Sequence, residues 1–175
     1  MAGSSQPHGV LVSSASGFSF VVRDDMALLG KVERLERKTF KRSETMDLVY
    51  TLALPHKRLY CAVSPADHEA LLGYFVLSKL KRQASIDKLC VVQEQRRRGI
   101  GIALVLHAIQ LCKQSAYRLV FLWVDEANEL ARRLYVAVEF EQVQRVEDTY
   151  GPGRHGLKMC LDLVPSSSSP ELCTI

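Results

Sequence analysis

The chain has 175 residues, of which 47% are hydrophobic and 24% charged, with a formal net charge of +4. This length accommodates one domain with a proper core rather than two, and the composition excludes disordered and fibrous classes. A surplus of this size does not by itself mark a dedicated nucleic-acid binder, so what matters is where the positive residues cluster.

Five cysteines (Cys61, Cys90, Cys112, Cys160, Cys173) are scattered without CxxC spacing. That pattern points to neither a zinc site nor a disulfide framework, and no metal is expected. No apolar run reaches about 18 residues, so no membrane span is expected. The start lacks a basic region followed by an apolar core, as a secretory leader would have. A cytoplasmic or nuclear location is the expectation.

Residues 1–16 and 165–175 are rich in Ser, Gly and Pro and read as disordered tails around a single domain, 17–164. Within it, Phe18 to Val22 predicts a first strand. Asp24 and Asp25 then offer a cap and first-turn negative charge for a helix running to about Phe40. Ser43 and Glu44 predict a second, short helix that Pro55 stops. Arg58 to Ser64, Ala70 to Leu80 and Ala84 to Val92 are rich in β-branched and aromatic residues and read as strands. Gly99 to Gln114 places Ile102, Val105, Leu106, Ile109 and Cys112 on one helical face. Tyr117 to Val124 is a nearly all-apolar run, the pattern of a strand buried on both faces, with Trp123 in the core. Ala127 to Val138 keeps helical spacing, and strands near Glu141–Val146 and 155–163 close the domain. The order β-α-α-β-β-β-α-β-α-β-β describes a mixed sheet covered by helices, with strand 84–92, helix 99–114 and strand 117–124 forming a crossover unit.

The segment VVQEQRRRGIGIALVLHAI, residues 91–109, sets three arginines and two glycines at the mouth of a helix. Amides at a helix start lack internal partners and carry partial positive charge. With Gly99 and Gly101 removing side chains that would hold a ligand off, and Arg96, Arg97 and Arg98 adding charge, the segment reads as an anion site suited to a pyrophosphate. A Walker A loop is excluded because no Gly-Lys-Ser/Thr occurs, and a GxGxxG fingerprint fails at Leu104. The pattern present is RxxGxG, filled by Arg96, Gly99 and Gly101.

ASIDKLCVVQEQRRRGIGIAL together with VDEANELARRLYVAVEFE resembles the two signature segments of the GCN5-related N-acetyltransferase (GNAT) superfamily. The end, VEDTYGPGRHGLKMCLDL, is similar to that of N-terminal protein acetyltransferases, including the ribosomal-protein alanine type. The resemblance implies an α+β, three-layer fold with a mixed, mostly antiparallel sheet of six to seven strands and about four helices. It implies an acetyl-CoA-dependent N-acetyltransferase in which an amine attacks the thioester directly. The pyrophosphate would lie on the Arg96–Ile102 loop, including Ile100 and Ile102. The pantetheine arm would pair with Leu89, Cys90 and Val91, held from the far side by Asn128.

Tyr135 stands where the family places its general acid, and a packed core aromatic is its bland alternative. The base is harder to assign. Trp123 and Ser85 occupy positions where relatives often carry His, Glu or Tyr, leaving Asp87 as a candidate acting through water or as a plain strand-surface carboxylate. Phe40 and Tyr150 are expected to touch the acceptor: Thr149-Tyr150 supplies half of the family's peptide-binding signature, Lys41-Arg42 stands beside Phe40 where relatives often show proline, and Glu139 replaces the glycine usual before Phe140, implying a differently built loop. His107 reads as a residue on a helix face. The acceptor is a primary amine: a protein N-terminus, a lysine or a small molecule. A weak or inactive coenzyme-binding module is the alternative from another class. The basic clusters Lys79-Lys81-Arg82 and Arg96–Arg98 either serve the coenzyme's phosphates or contact RNA or a ribosome.

Overall fold

The computed structural model describes residues 11–13, 19–22 and 26–164. Eight strands form one sheet: β1 Leu11–Ser13, β2 Ser19–Val22, β3 Lys57–Val63, β4 Leu71–Leu80, β5 Gln83–Val91, β6 Leu119–Asp125, β7 Glu141–Val146 and β8 Gly156–Asp162. Their spatial order is β1-β2-β3-β4-β5-β6-β8-β7, and every neighbouring pair is antiparallel except β5 and β6. Four helices accompany them: α1 Met26–Thr39, α2 Leu48–Ala53, α3 Ile100–Gln114 and α4 Glu129–Ala137. The expected fold class holds, with one strand more than expected. That strand, Leu11–Ser13, lies in a segment read as a disordered tail; the rest of both tails and the Asp24–Asp25 cap lie outside the described residues.

Three layers follow from strand alternation. Tyr60, Ala62, Phe75, Leu77, Ile86 and Leu122 face one way and bury against α3 and α4. Leu59, Cys61, Val63, Tyr74, Val76 and Cys90 face the other way and bury against Leu28, Val32 and Leu35 of α1 and Leu48 of α2. Strand β6 departs from the expected burial on both faces. Val120, Leu122 and Val124 are buried, while Phe121 is partly buried and Trp123 is 37% exposed. α1 and α2 pack over β3 to β5, so the far side of β6 stays open and Trp123 is not a core residue. His107 is a helix-face residue as read from the sequence, and that face is the buried one, edge-on to Tyr60 and Phe75.

The short helix starts later than Ser43–Glu44 suggested. Asp47 is its N-cap, accepting from the Tyr50 amide at 2.9 Å. The Met46 amide donates instead to the Glu36 carboxylate of α1 at 2.9 Å, and the Glu44 and Thr45 amides bond back to the Lys41 carbonyl, so residues 43–46 are a turn and linker rather than helix. Glu139 takes the left-handed conformation itself, with φ 68°, and the Phe140 amide bonds back to the Tyr135 carbonyl at 3.0 Å. This is the glycine-type helix ending built with a glutamate, not a different loop.

Candidate active site

β5 and β6 share parallel register only from Gln83↔Leu119 to Ile86↔Leu122. Beyond that point β5 continues along β4 as far as Val91, while β6 continues along β8 as far as Asp125. Asp87 is the extra residue in a bulge, because Val76 pairs with Lys88 and Leu77 with Ile86. A bulge bends its strand, and here it accompanies the parting of β5 from β6 into an open wedge.

Backbone alternation decides what lines that wedge. Val92 donates to the Leu72 carbonyl at 2.9 Å, so 92–72 and 90–74 are hydrogen-bonded pairs of the β4–β5 ladder. The N–H and C=O groups of Leu89 and Val91 therefore point away from β4, toward the gap. Cys90 falls out of the expected set: its backbone pairs with Tyr74, and its buried side chain sits 3.9 Å from the Thr39 hydroxyl on the α1 side. Of the groups aimed at the gap, the Val91 carbonyl accepts from Arg96 Nε at 3.2 Å. That fixes Arg96 as a brace for the strand end.

A 3-10 turn, Gln93–Gln95, leads into the arginines. Arg97 has φ 61° and Gly99 has φ 79°, two left-handed residues that turn the chain into α3. Gly99 caps α3 without a side chain, and the first bond back to it comes from Ala103 at 3.0 Å. The amides of Ile100, Gly101 and Ile102 thus lack intrahelical partners. A Cβ on Gly99 would meet nothing within 4 Å, so the space above the helix mouth is open. Gly101 serves otherwise than expected. A Cβ there would come within 2.9 Å of Leu134 Cδ1, so the missing side chain lets α3 and α4 approach and does not clear room for a ligand. The Arg97 and Arg98 side chains are exposed, Arg98 held to Gln95 at 2.6 Å, while Ile100 is buried in the core. A diphosphate fits this mouth: bare amides, open space and two exposed guanidinium groups. The cluster Lys79-Lys81-Arg82 lies at the other end of β5, about 27 Å of extended strand away. It cannot serve the same phosphates.

Asn128 is the N-cap of α4, its Oδ1 accepting from Ala131 at 3.2 Å, which leaves its NH2 group as the donor it can offer a ligand. Tyr135 is 8% exposed on α4, its ring 5.9 Å from that of Phe140. Burial, and then the neighbouring Tyr150 phenol, push its pKa up to about 12. Tyr150 is half-buried, and burial followed by the Asp125 and Glu44 carboxylates raises its phenol too. The two tyrosines named from sequence are thus brought together. Phe40 lies at the end of α1 with Lys88 Nζ 3.5 Å over its ring. Asp87 turns from the wedge toward β3 and β4: its Oδ2 accepts from Lys57 Nζ at 2.6 Å and from Ser78 Oγ at 2.5 Å. It shares the face of Ser85 as expected, but those contacts make it a paired strand carboxylate.

Sequence reasoning missed Glu36, Lys88, Glu44, Asp125 and Arg154 around the same opening. Glu36 is buried and bonded to the Tyr74 hydroxyl and the Met46 amide, with Lys88 Nζ 3.6 Å away. Lys88 donates to the Glu44 carbonyl at 2.6 Å. Arg154 joins Glu44 to Asp125. Their sequence separations carry no motif that would have paired them. No group of His, Cys, Asp and Glu residues placed to hold a metal occurs among the described residues. None of the described helices is long and apolar enough to cross a membrane.

The acetyltransferase (GNAT) family model matches residues 29–140, well over half of the chain. No curated protein matches at the level of sequence. Among solved structures, the Escherichia coli ribosomal-protein-S18-alanine N-acetyltransferase superposes with TM-score 0.72 at 14% identity, covering 87% of this chain and 97% of that one. Arabidopsis thaliana NAA60 in complex with acetyl-CoA gives TM-score 0.72 at 22% identity, over 83% and 98%. An aminoglycoside 6'-N-acetyltransferase complexed with coenzyme A gives 0.70 at 15%, over 85% and 99%. At these identities the likenesses speak for the fold, and the family match covers the loop, the wedge and Tyr135 alike. The chain belongs to the GNAT acetyltransferase family.

Proposed function

We propose that the protein is an acetyl-CoA-dependent N-acetyltransferase acting on a low-pKa primary amine, a protein N-terminus foremost. The observation that carries this is a strand edge with outward N–H and C=O groups at Leu89 and Val91. It ends at the unpartnered amides of α3, and Tyr135, with a phenol that stays protonated, stands on α4, the helix packed against α3.

Acetyl-coenzyme A, when bound, supplies the acetyl group as an activated thioester. The amides of Ile100 to Ile102, with Arg97 and Arg98, would hold its diphosphate. Leu89 and Val91 would pair with an extended amide chain as a strand edge does, with the Asn128 NH2 group opposite. The Val91 N–H is a donor available to a carbonyl oxygen gaining charge. Tyr135 keeps its proton throughout the physiological range. Transfer from a phenol near 12 to a thiolate whose conjugate acid lies near about 8.5 is uphill by about 5 kcal/mol. Tyr135 therefore acts first as a hydrogen-bond donor to charge on sulfur, and only secondarily as a freely dissociating acid.

With Asp87 engaged by Lys57 and Ser78, no strong base is assigned. At pH 7 about 10% of an α-amine with pKa near 8 is neutral, against about 0.04% of a lysine near 10.4. A site without a strong base thus favours the first by more than two orders of magnitude. A ribosomal-protein-S18-alanine N-acetyltransferase is among the similar folds, which supports a protein amine as acceptor.

The test is thiol release from acetyl-CoA with peptide N-termini, lysine peptides and small amines, beside a coenzyme A thermal shift. Tyr135→Phe should lower kcat about 100-fold while leaving coenzyme affinity within about twofold. Coenzyme binding without turnover on any amine would leave the inactive coenzyme-binding module as the function. Stabilisation by RNA and none by coenzyme A would replace both readings.

A further inference from the structure

Arg154 lies between β7 and β8 in the stretch GPGRHG, and its guanidinium gathers partners from three separate parts of the chain. Nη1 donates to Glu44 Oε1 at 2.5 Å and to the Tyr150 carbonyl at 3.1 Å. Nε and Nη2 both donate to Asp125 Oδ2, at 2.8 and 2.5 Å. The same group lies 5.7 Å from the centre of the Tyr150 ring, whose phenol is in electrostatic contact with Tyr135.

These partners outline an opening. Glu44 belongs to the loop joining α1 to α2, Asp125 ends β6 where that strand has parted from β5, and Tyr150 sits on the β7–β8 hairpin. Glu44 and Arg154 are 110 residues apart, and no strand pairing joins that loop to that hairpin. We propose that Arg154 is a positioning residue that sets the width of the acceptor mouth, tying the α1–α2 loop to the β7–β8 hairpin through Glu44 and Asp125. The role rests on the acetyltransferase reading of the site, with the acceptor entering on the face opposite α3.

A guanidinium fork suits this task because it meets two carboxylates and a carbonyl at once, which an ammonium does in no fixed geometry. Arg154 is also a poor stand-in for an incoming ammonium group. It is tethered beside its partners, and a free amine would have to displace an intramolecular competitor. Without Arg154, the side chains of Glu44 and Asp125, 21% and 14% exposed, lose the cation they share, leaving Asp125 the Ala127 amide and the more distant charge of Lys41. Like charges then separate the loop from the strand end, and the Tyr150 ring loses the cation lying over it. The Leu89–Val91 edge and the α3 mouth are built from other residues and stay as they are.

Arg154→Gln, examined by hydrogen–deuterium exchange of the full chain with coenzyme A titration, tests this. Amide exchange in 41–47 and in 147–155 should rise together, about tenfold in each, while coenzyme A affinity changes less than about twofold. With an amine that the wild type turns over, acceptor KM should rise about tenfold and kcat should hold within about threefold. Adding Glu44→Gln to Arg154→Gln should bring exchange part of the way back in both segments, since it removes one of the two like charges that Arg154 had bridged. Exchange that rises in one segment only, or in neither, overturns the proposal whether or not any amine is acetylated. Should Arg154→Gln fail to fold, Glu44→Gln alone decides, because it too must loosen both segments. Failure of the wild type to bind coenzyme A would sink the acetyltransferase reading instead.

Discussion

Asp87→Ala separates a catalytic carboxylate from a structural one. The Asp87 side chain is 18% exposed and that of Lys57 22%, with 2.6 Å between Nζ and Oδ2. Ser78 is buried and donates to the same oxygen. Removing the carboxylate leaves a mostly buried ammonium without its partner and a buried hydroxyl without its acceptor. A hydrogen bond to a charged group contributes about 1.5–3 kcal/mol, and partial exposure of the pair argues for about 2 kcal/mol here. In a domain of this size that lowers Tm by about 4–8 °C. Differential scanning fluorimetry gives the shift, and thiol release measured well below the variant's Tm gives turnover. Loss of a general base costs about 100-fold or more in rate, whereas loss of a strand ion pair should leave kcat within about threefold. A Tm equal to wild type together with a hundredfold fall in kcat would refute the structural assignment and return Asp87 to the chemistry.

Glu139→Gly should stabilise the fold. A non-glycine residue at φ 68° is strained by about 1–2 kcal/mol, and glycine's extra unfolded-state entropy returns about 0.4–1 of that, so Tm should rise by about 1–4 °C; a fall in Tm would show that the carboxylate contributes more than the strain. Glu36 titrates visibly. Burial pushes its carboxyl up, against the Met46 amide and Lys88, which pull it down. The folded chain thus binds this proton more tightly than the unfolded chain. The stability it contributes is full below the ordinary glutamate range and is lost as pH rises through the folded value. Denaturation at about pH 4 and about pH 7 should therefore show Glu36→Gln gaining on wild type at the higher pH, and a constant difference would contradict this. Gly101→Ala should meet only the tip of Leu134, a half-buried side chain free to turn aside, while alanine favours the helix by about 1 kcal/mol. Chemical denaturation should therefore give a stability within about 1 kcal/mol of wild type, and a larger loss would show that α3 and α4 cannot adjust.

Much was legible in the sequence because the relevant physics is local. Alternation and helical spacing gave the seven strands from Phe18 onward and the four helices. The arginine–glycine run announced an anion site because a helix mouth presents free amides whatever surrounds it. Tyr135 and Tyr150 were named from the resemblance, and they meet in space. Less local questions went differently. Gly101 was read as ligand clearance, yet its missing side chain answers to Leu134 on another helix. An apolar run predicts Trp123 in the core, yet none of the described helices packs on that side of β6, where Trp123 is exposed.

By itself the sequence determined the element order from the second strand onward and the family, since each depends on residues near one another in the chain. Only the tertiary structure decided that Leu89 and Val91, but not Cys90, face the wedge, because that depends on ladder register with β4 and on the Asp87 bulge. It alone turned Asp87 toward Lys57 and joined Glu44, Asp125 and Arg154 into one contact. Ion pairs select partners by distance in the folded chain, and a separation of 110 residues leaves no periodicity from which to read them.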